Sequence, residues 1–314
     1  MKAQVWIVIL FSGFAVGLPV RGECDAAVKD ALVLPLSEEL VRRTQPWCPN
    51  DCVLTIPFIA TYQRGNEKLV FVGTRHAYDH YNPTMRAVAE GFSRSTAAIV
   101  ILEAFPTSMG ENPPPLVEIA QRHGAAEGEG YERGEAMYAA SLALARGIPF
   151  QGGEPTQEEQ LDGLRAQGFT DSDLAFDAVL GWLSQSLGSK EIPDTTLASL
   201  NGIYPELVGV VRDQTGLKAP SLEEFRRRYE DLYGVDIVGD THFASRTNIG
   251  DTPARARLRV ARTMIRDRHI LKVIEGQLDR RQSVLVVYGA AHWSTLSAAL
   301  EARLGKPEIT PFLQ

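Results

Sequence analysis

The chain has 314 residues and a formal net charge of −7, from 32 Lys and Arg against 39 Asp and Glu. With 44% hydrophobic and 23% charged residues, its composition is that of an ordinary globular protein, long enough for one large domain or two modest ones. The acidic balance argues against a nucleic-acid partner, because phosphate binding wants a basic surface, and the arginines between Arg255 and Arg268 read as a helix surface.

Lys2 precedes an apolar run from Val5 to Leu18, and small residues follow near Gly22. That is the layout of a secretory signal peptide over residues 1–22, with an apolar segment short for a membrane span. The expectation is an exported protein, periplasmic or secreted, with no stable membrane insertion after cleavage; an uncleaved anchor is the alternative. Glu23 before Cys24 disfavours lipidation. Three cysteines, Cys24, Cys48 and Cys52, lie close behind. In an oxidising compartment two of them pair and one is left over, with the pairing open. Three thiols without a nearby histidine make a poor zinc site.

Residues 26–43 read as partly helical and 46–51 as a turn. Val53–Tyr62 and Lys68–Val72 are strand-like, joined at Arg64-Gly65-Asn66 by a hairpin turn. Pro83 opens a helix that runs to about Phe92. Ala97–Glu103 is an apolar strand, and the proline- and glycine-rich stretch from Pro106 to Pro115 is a loop. Helices are expected over Leu116–His123 and Glu132–Arg146, then a short strand over Ile148–Gln151. Thr156 begins a capping box. Leu161–Tyr233 reads as helices broken near Gly168, Gly188–Pro193, Gly202–Pro205 and Pro220, and as an insertion (about 161–251) covering one side of the sheet. Gly239–Pro253 is a loop, Arg255–Leu278 a long helix, and Val284–Tyr288 a buried strand followed by a last helix. Alternating strands and helices predict an α/β fold of mixed α+β character: a central mixed sheet flanked by helices, with two related halves.

Those halves are marked by one pattern. Leu69–His76 and Ser283–His292 are both apolar strands that end in Gly-x-x-His, at Gly73 and at Gly289. Ligand sites in open α/β sheets lie outside the carboxyl ends of strands. His76, Glu103, Glu154 and His292 all fall at such ends. Imidazoles and carboxylates there serve as metal ligands or as a general base with an orienting partner. His76 and His80 share a His-x-x-x-His spacing, but Pro83 starts the helix after them, so Asp79 and His80 read as peripheral. His123, His242 and His269 read as surface residues. Arg266 shares a helix row with Ile270, Val273 and Gln277, which makes it a candidate to hold a carboxylate or an oxyanion.

Taken together, Gly73-Thr-Arg-His76, Glu103, Gly153-Glu154 followed by Glu158-Glu159-Gln160, Arg266-Asp267 and Gly289-Ala-Ala-His292 resemble the TraB/TIKI/GumN family. The wider superfamily includes the erythromycin esterases and the ChaN-type haem-binding proteins. The resemblance spans about residues 68–305, and Leu161–Asp251 does not match in detail. It implies a single two-halved domain over residues 23–314 with both Gly-x-x-His motifs meeting in a central cleft. TIKI-type members are divalent-metal-dependent proteases, erythromycin esterases hydrolyse without a metal and with an arginine in the site, and ChaN-type members bind haem. Two residues depart from the TIKI form. Arg75 puts a charge inside the first motif, and Trp293 after His292 is expected to narrow the pocket.

Three readings follow. In the first, an exported metallohydrolase acts on a small-molecule or peptide substrate, with His76, His292 and Glu103 (or Glu154 in its place) binding Mn²⁺ or Co²⁺, the remaining glutamate as the general base and Arg266 steadying the tetrahedral intermediate. In the second, the hydrolysis is metal-free, and a histidine activates water directly, oriented by a glutamate. In the third, the protein binds haem or another ligand and catalyses nothing.

Overall fold

The computed structural model describes residues 55–124, 134–188, 195–243, 253–281 and 283–312. The apolar run Val5–Leu18, Cys24, Cys48, Cys52 and the expected 26–43 helix lie outside the described residues. By their internal contacts the described residues form two compact units, one of residues 55–155 and 266–312, the other of residues 156–265. The second, helical unit starts at Thr156 and ends at Ile265.

The first unit is a three-layer α/β structure. Its strands are β1 (Phe58–Arg64), β2 (Glu67–Thr74), β3 (Ile99–Pro106), β4 (Phe150–Glu154), β5 (Ser283–Gly289) and β6 (Glu308–Pro311), in the sheet order β4-β3-β5-β2-β1-β6. The four strands β4, β3, β5 and β2 run parallel, while β1 is antiparallel to both β2 and β6. The parallel strands are apolar on both faces because both faces are covered. On one face Val70, Val72, Val100, Leu102, Leu285 and Val287 pack with α1 (Pro83–Arg94), α2 (Pro114–Gly124) and α3 (Gly134–Ala145). On the other, Phe71, Ile99, Ile101, Val284, Val286 and Tyr288 pack with Ile270, Ile274 and Leu278 and with the last helix, Ala290–Leu304.

Local chemistry sets most boundaries. Gly65, at φ 59°, turns the β1–β2 hairpin with Arg64 paired to Glu67. Asn82 caps α1 by accepting from the Thr84 N–H, with Pro83 in the first turn. The short strand expected over 148–151 extends through Gly152, Gly153 and Glu154. Glycine is required at Gly152, where a Cβ would lie 1.9 Å from the Phe105 carbonyl oxygen.

The second unit is helical: α4 (Gln157–Ala166), α5 (Asp171–Gly188), α6 (Leu197–Thr215), α7 (Leu222–Tyr233) and the start of α8 (Pro253–Arg281). Its core includes Leu164, Val179, Leu183, Val211, Phe225, Tyr229 and Leu258. Capping boxes at Thr156 and Ser221 start α4 and α7. The break expected at Gly202–Pro205 is absent, and α6 runs through Pro205. Burial of Leu200, Tyr204, Leu207 and Val211 on one face outweighs the lost backbone bond. The closing helix of the first unit is α9 (Ala290–Leu304). Among the described residues no helix is long and apolar enough to cross a membrane.

Candidate active site at the carboxyl edge of the parallel strands

The four parallel strands end side by side, and each end delivers part of a polar cluster. β5 pairs with β2 so that Thr74 faces Gly289, which places the two Gly-x-x-His motifs on neighbouring strand ends. β3 carries Glu103 at a break in its pairing with β4, where the register shifts between Leu102 and Pro106. Ala104, next to it, sits at φ 73°, a strained setting for a residue with a side chain. This bulge turns the end of β3 away from a regular ladder.

Glu103, 6% exposed, is the hub. Its Oε2 accepts from the Gly289 N–H at 2.6 Å, at the start of α9, where the helix end favours an anion. Gly289 permits that approach, since a Cβ there would be 3.2 Å from the same oxygen. Its Oε1 accepts from Arg266 Nη2 at 3.1 Å and lies 3.4 Å from His292 Nε2. Arg266 also grips Glu154 with a two-pronged contact, Nε to Oε2 and Nη2 to Oε1, both at 2.7 Å. His292, within the first turn of α9, faces Asp267 Oδ1 at 2.5 Å through Nδ1. Both of its ring nitrogens therefore point at carboxylates.

His76 belongs to a second His–acid pair. Its Nδ1 lies 2.8 Å from Glu135 Oε1. The same carboxylate accepts from the Thr74 hydroxyl at 3.2 Å and from the Ala77 N–H at 3.1 Å. Gly134 starts α3 at φ 63°, and a Cβ there would be 2.6 Å from the Ala77 carbonyl oxygen, so glycine brings the Glu135 turn against the motif loop. The His76 side chain is 31% exposed and that of His292 is 8% exposed.

These settings give the two histidines different charges. Burial lowers the His292 pKa, but the charge and hydrogen bond of Asp267, with help from Glu103, overcome it and push it up to about 10. His292 is an imidazolium at neutral pH. His76 is raised above its ordinary value by the Glu135 hydrogen bond, which outweighs partial burial, and it also feels the charges of Glu103 and Arg266. Burial alone would raise the Glu103 carboxyl; His292 and Arg266 reverse that and hold it well below the usual carboxylate range. The Tyr288 hydroxyl is pushed well up by burial and then by Glu154 and Glu103.

Of the five expected residues, Glu103, Glu154, Arg266 and His292 join in one bonded network, and His76 stands beside it. The sequence reading lacked Glu135 as a partner and left Asp267 and Tyr288 without a role. Two signals were present. Asp267 falls in line with Ile270, Ile274 and Leu278 at helical spacing, and all four are 0% exposed; an acid in a core stripe needs a partner. Glu135 is the lone charged residue in α3. His269 is not a simple surface residue, since its Nε2 lies 2.9 Å from the Thr107 hydroxyl. That hydroxyl also faces the carbonyls of Gly152 and Glu154. Trp293 does not narrow the site. Its indole donates to Tyr62 in the core at 2.9 Å, and its ring meets Phe58 edge-on. Arg75 is exposed, and α1 begins after His80, so the His-x-x-x-His pair shares no helix face.

The described side chains of the cluster are taken up by one another. Glu103 is committed to Gly289, Arg266 and His292, and His292 to Glu103 and Asp267. Among the described residues no group of three or more His, Cys, Asp or Glu is placed to hold a metal ion. The chemistry the cluster offers is a half-exposed imidazole held by a carboxylate, next to two fixed cations. Comparison of the chain with protein-family models, curated proteins and solved structures finds no match.

Proposed function

We propose that the protein is an exported hydrolase that cleaves an ester, amide or peptide bond of a small-molecule or peptide substrate, with water activated by His76 and not by a metal. The observation that carries this reading is the difference between the two motif histidines. His292 has carboxylates on both nitrogens and acts as a cation. His76 has a carboxylate on Nδ1 only, which leaves Nε2 as the proton acceptor. In the reaction, His76 Nε2 takes a proton as water attacks the substrate carbonyl carbon, then returns it to the leaving group. Glu135 holds the ring and steadies its charged form. Arg266 and His292 supply positive charge for the developing oxyanion, and Glu103 anchors both cations. The order of motifs shared with the TraB/TIKI/GumN family supports the same site.

The test is a panel of p-nitrophenyl esters and fluorogenic peptides, assayed on purified protein before and after exhaustive chelation. Hydrolysis should survive chelation, and His76→Ala should lower turnover by about 100-fold or more, the scale of a lost general base. Activity that disappears on chelation and returns with Mn²⁺ would overturn the metal-free reading. A Soret band on adding hemin, lost in His76→Ala, would move the site to haem binding. Mass spectrometry of exported protein should place the mature N-terminus near residue 23.

A further inference from the structure

His269 and Thr107 make a second connection between α8 and the strand ends, apart from the one that Arg266 makes. Residues three apart on a helix share a face, so His269 stands beside Arg266 on α8. Arg266 holds the Glu154 carboxylate, Nε to Oε2 and Nη2 to Oε1, at 2.7 Å each. His269 reaches the same strand end through a hydroxyl. Its Nε2 lies 2.9 Å from Thr107 Oγ1, and that oxygen lies 3.2 Å from the Gly152 carbonyl oxygen and 3.3 Å from the Glu154 carbonyl oxygen. Glu154 is thus approached twice from one helix, at its carboxylate and at its backbone.

A threonine hydroxyl has one proton to give, and carbonyl oxygens can only accept. Toward Gly152 and Glu154, Thr107 is therefore the donor. Giving its proton to His269 instead would turn its lone pairs on two carbonyl oxygens within 3.3 Å. The arrangement that satisfies all four atoms has His269 donating from an Nε2–H to the Thr107 oxygen. The backbone needs this help here. The β3–β4 pairing breaks after Leu102 and resumes only with Pro106 opposite Glu154, and a proline brings no N–H to a ladder. Thr107, next in the chain, supplies a donor from its side chain. Further along, the Asn112 N–H donates to the Phe150 carbonyl at 2.8 Å and its side-chain oxygen accepts from the Phe150 N–H at 3.0 Å, so the segment is tied to β4 at both ends.

We propose that His269 is a positioning residue of the site: as an Nε2–H donor to Thr107 it fixes the backbone at Glu154, and with it the carboxylate against which the Arg266 fork is set. This deepens the hydrolase reading, and its effect on turnover rests on that reading. Arg266 can meet a developing oxyanion only as accurately as Glu154 and Glu103 hold it, and a misplacement of about 1 Å can cost about 100-fold in rate.

The experiment uses the full chain labelled with ¹⁵N. At neutral pH the His269 Nε2 should appear as a protonated nitrogen; a ring protonated at Nδ1 alone overturns the proposal. The Arg266 Nε–H, bonded to Glu154, should exchange with solvent slowly in the wild-type protein and about tenfold or more faster in Thr107→Val and His269→Ala. Thr107→Ser and His269→Gln, which keep the hydroxyl and a donor, should return exchange to the wild-type rate. On p-nitrophenyl acetate, Thr107→Val and His269→Ala should each lower kcat by about tenfold with KM little changed. The double variant should fall no further than either single one. Wild-type kcat and Arg266 exchange in His269→Ala, with only a lower melting temperature, would make the contact structural and overturn the proposal. Losses that multiply in the double variant, or a His269→Gln protein that behaves as His269→Ala does, would overturn it as well. If Thr107→Val does not fold, the His269→Ala and His269→Gln pair decides. Failure of the hydrolase reading shows separately, as turnover that survives His76→Ala, and it leaves the nitrogen and exchange signals readable.

Discussion

Asp267→Asn removes one carboxylate from the most deeply buried ion pair of the site and keeps the shape. Asp267 does most to push the His292 imidazole up, to about 10 against the ordinary 6.5. Without that charge, burial and Arg266 both push the imidazole down, and only Glu103 opposes them, so His292 becomes neutral around physiological pH. The sign of the linked stability follows. A histidine whose folded pKa is raised stabilises the fold fully below about pH 6.5, and that contribution is lost as pH rises toward about 10. At about 1.4 kcal/mol per pH unit, the gap amounts to on the order of 5 kcal/mol, a property of the coupled cluster and not of His292 alone. Urea denaturation between pH 6 and pH 10, with ¹³C-histidine NMR to follow the ring, reads both quantities. Wild-type stability should fall across this window by roughly 3–4 kcal/mol more than that of the variant, and the variant should start lower at pH 6 by about 3 kcal/mol, the scale of a broken buried pair. If His292 of the wild-type protein titrates near 6.5, or the two pH profiles run parallel, the imidazolium assignment is wrong.

Glu135→Gln weakens the hydrogen bond that raises His76 most, so the neutral base becomes available at lower pH. The rising limb of kcat/KM against pH should move to the acid side while the plateau drops; a limb that stays put or moves alkaline would separate Glu135 from the base. Glu103→Gln takes the shared anchor from Arg266, His292 and Gly289, and turnover should fall by about 100-fold or more; full activity in this variant would remove the hub from the site. Gly153→Ala forces a methyl to 2.4 Å from the Tyr288 hydroxyl and 2.8 Å from Ile101. The cost should be about 1–3 kcal/mol in urea denaturation, and an unchanged midpoint would mean that the β4–β5 approach is looser than drawn.

The sheet was legible because both of its faces are covered. β2, β3 and β5 are unbroken apolar runs ending at a glycine or a carboxylate, a pattern that few other settings produce. β6 was missed for the opposite reason. Glu308–Pro311 is an exposed four-residue edge strand between prolines, and its pairing with β1 is set by the returning chain and not by its own residues. Pro205 misled as a helix breaker because local propensity weighs little against a buried face of Leu200, Tyr204, Leu207 and Val211. The extension of the Ile148–Gln151 strand through Gly152 and Gly153 was hidden in the same way, since close approach by Phe105 and Tyr288, not strand propensity, fixes those glycines.

For the site, strand ends were enough to locate the five residues but not to assign their charges. His76 and His292 occupy the same place in the same Gly-x-x-His motif, and nothing within either motif separates a base from a cation. The difference comes from partners distant in the chain. Asp267 reaches His292 across 25 residues, and Glu135 reaches His76 across 59. It also comes from exposure, since a ring buried between two acids keeps its proton while a ring with one open nitrogen can exchange it. A repeated motif therefore fixes where the two imidazoles stand. The carboxylates brought by α3 and α8 decide which of them is able to take a proton from water.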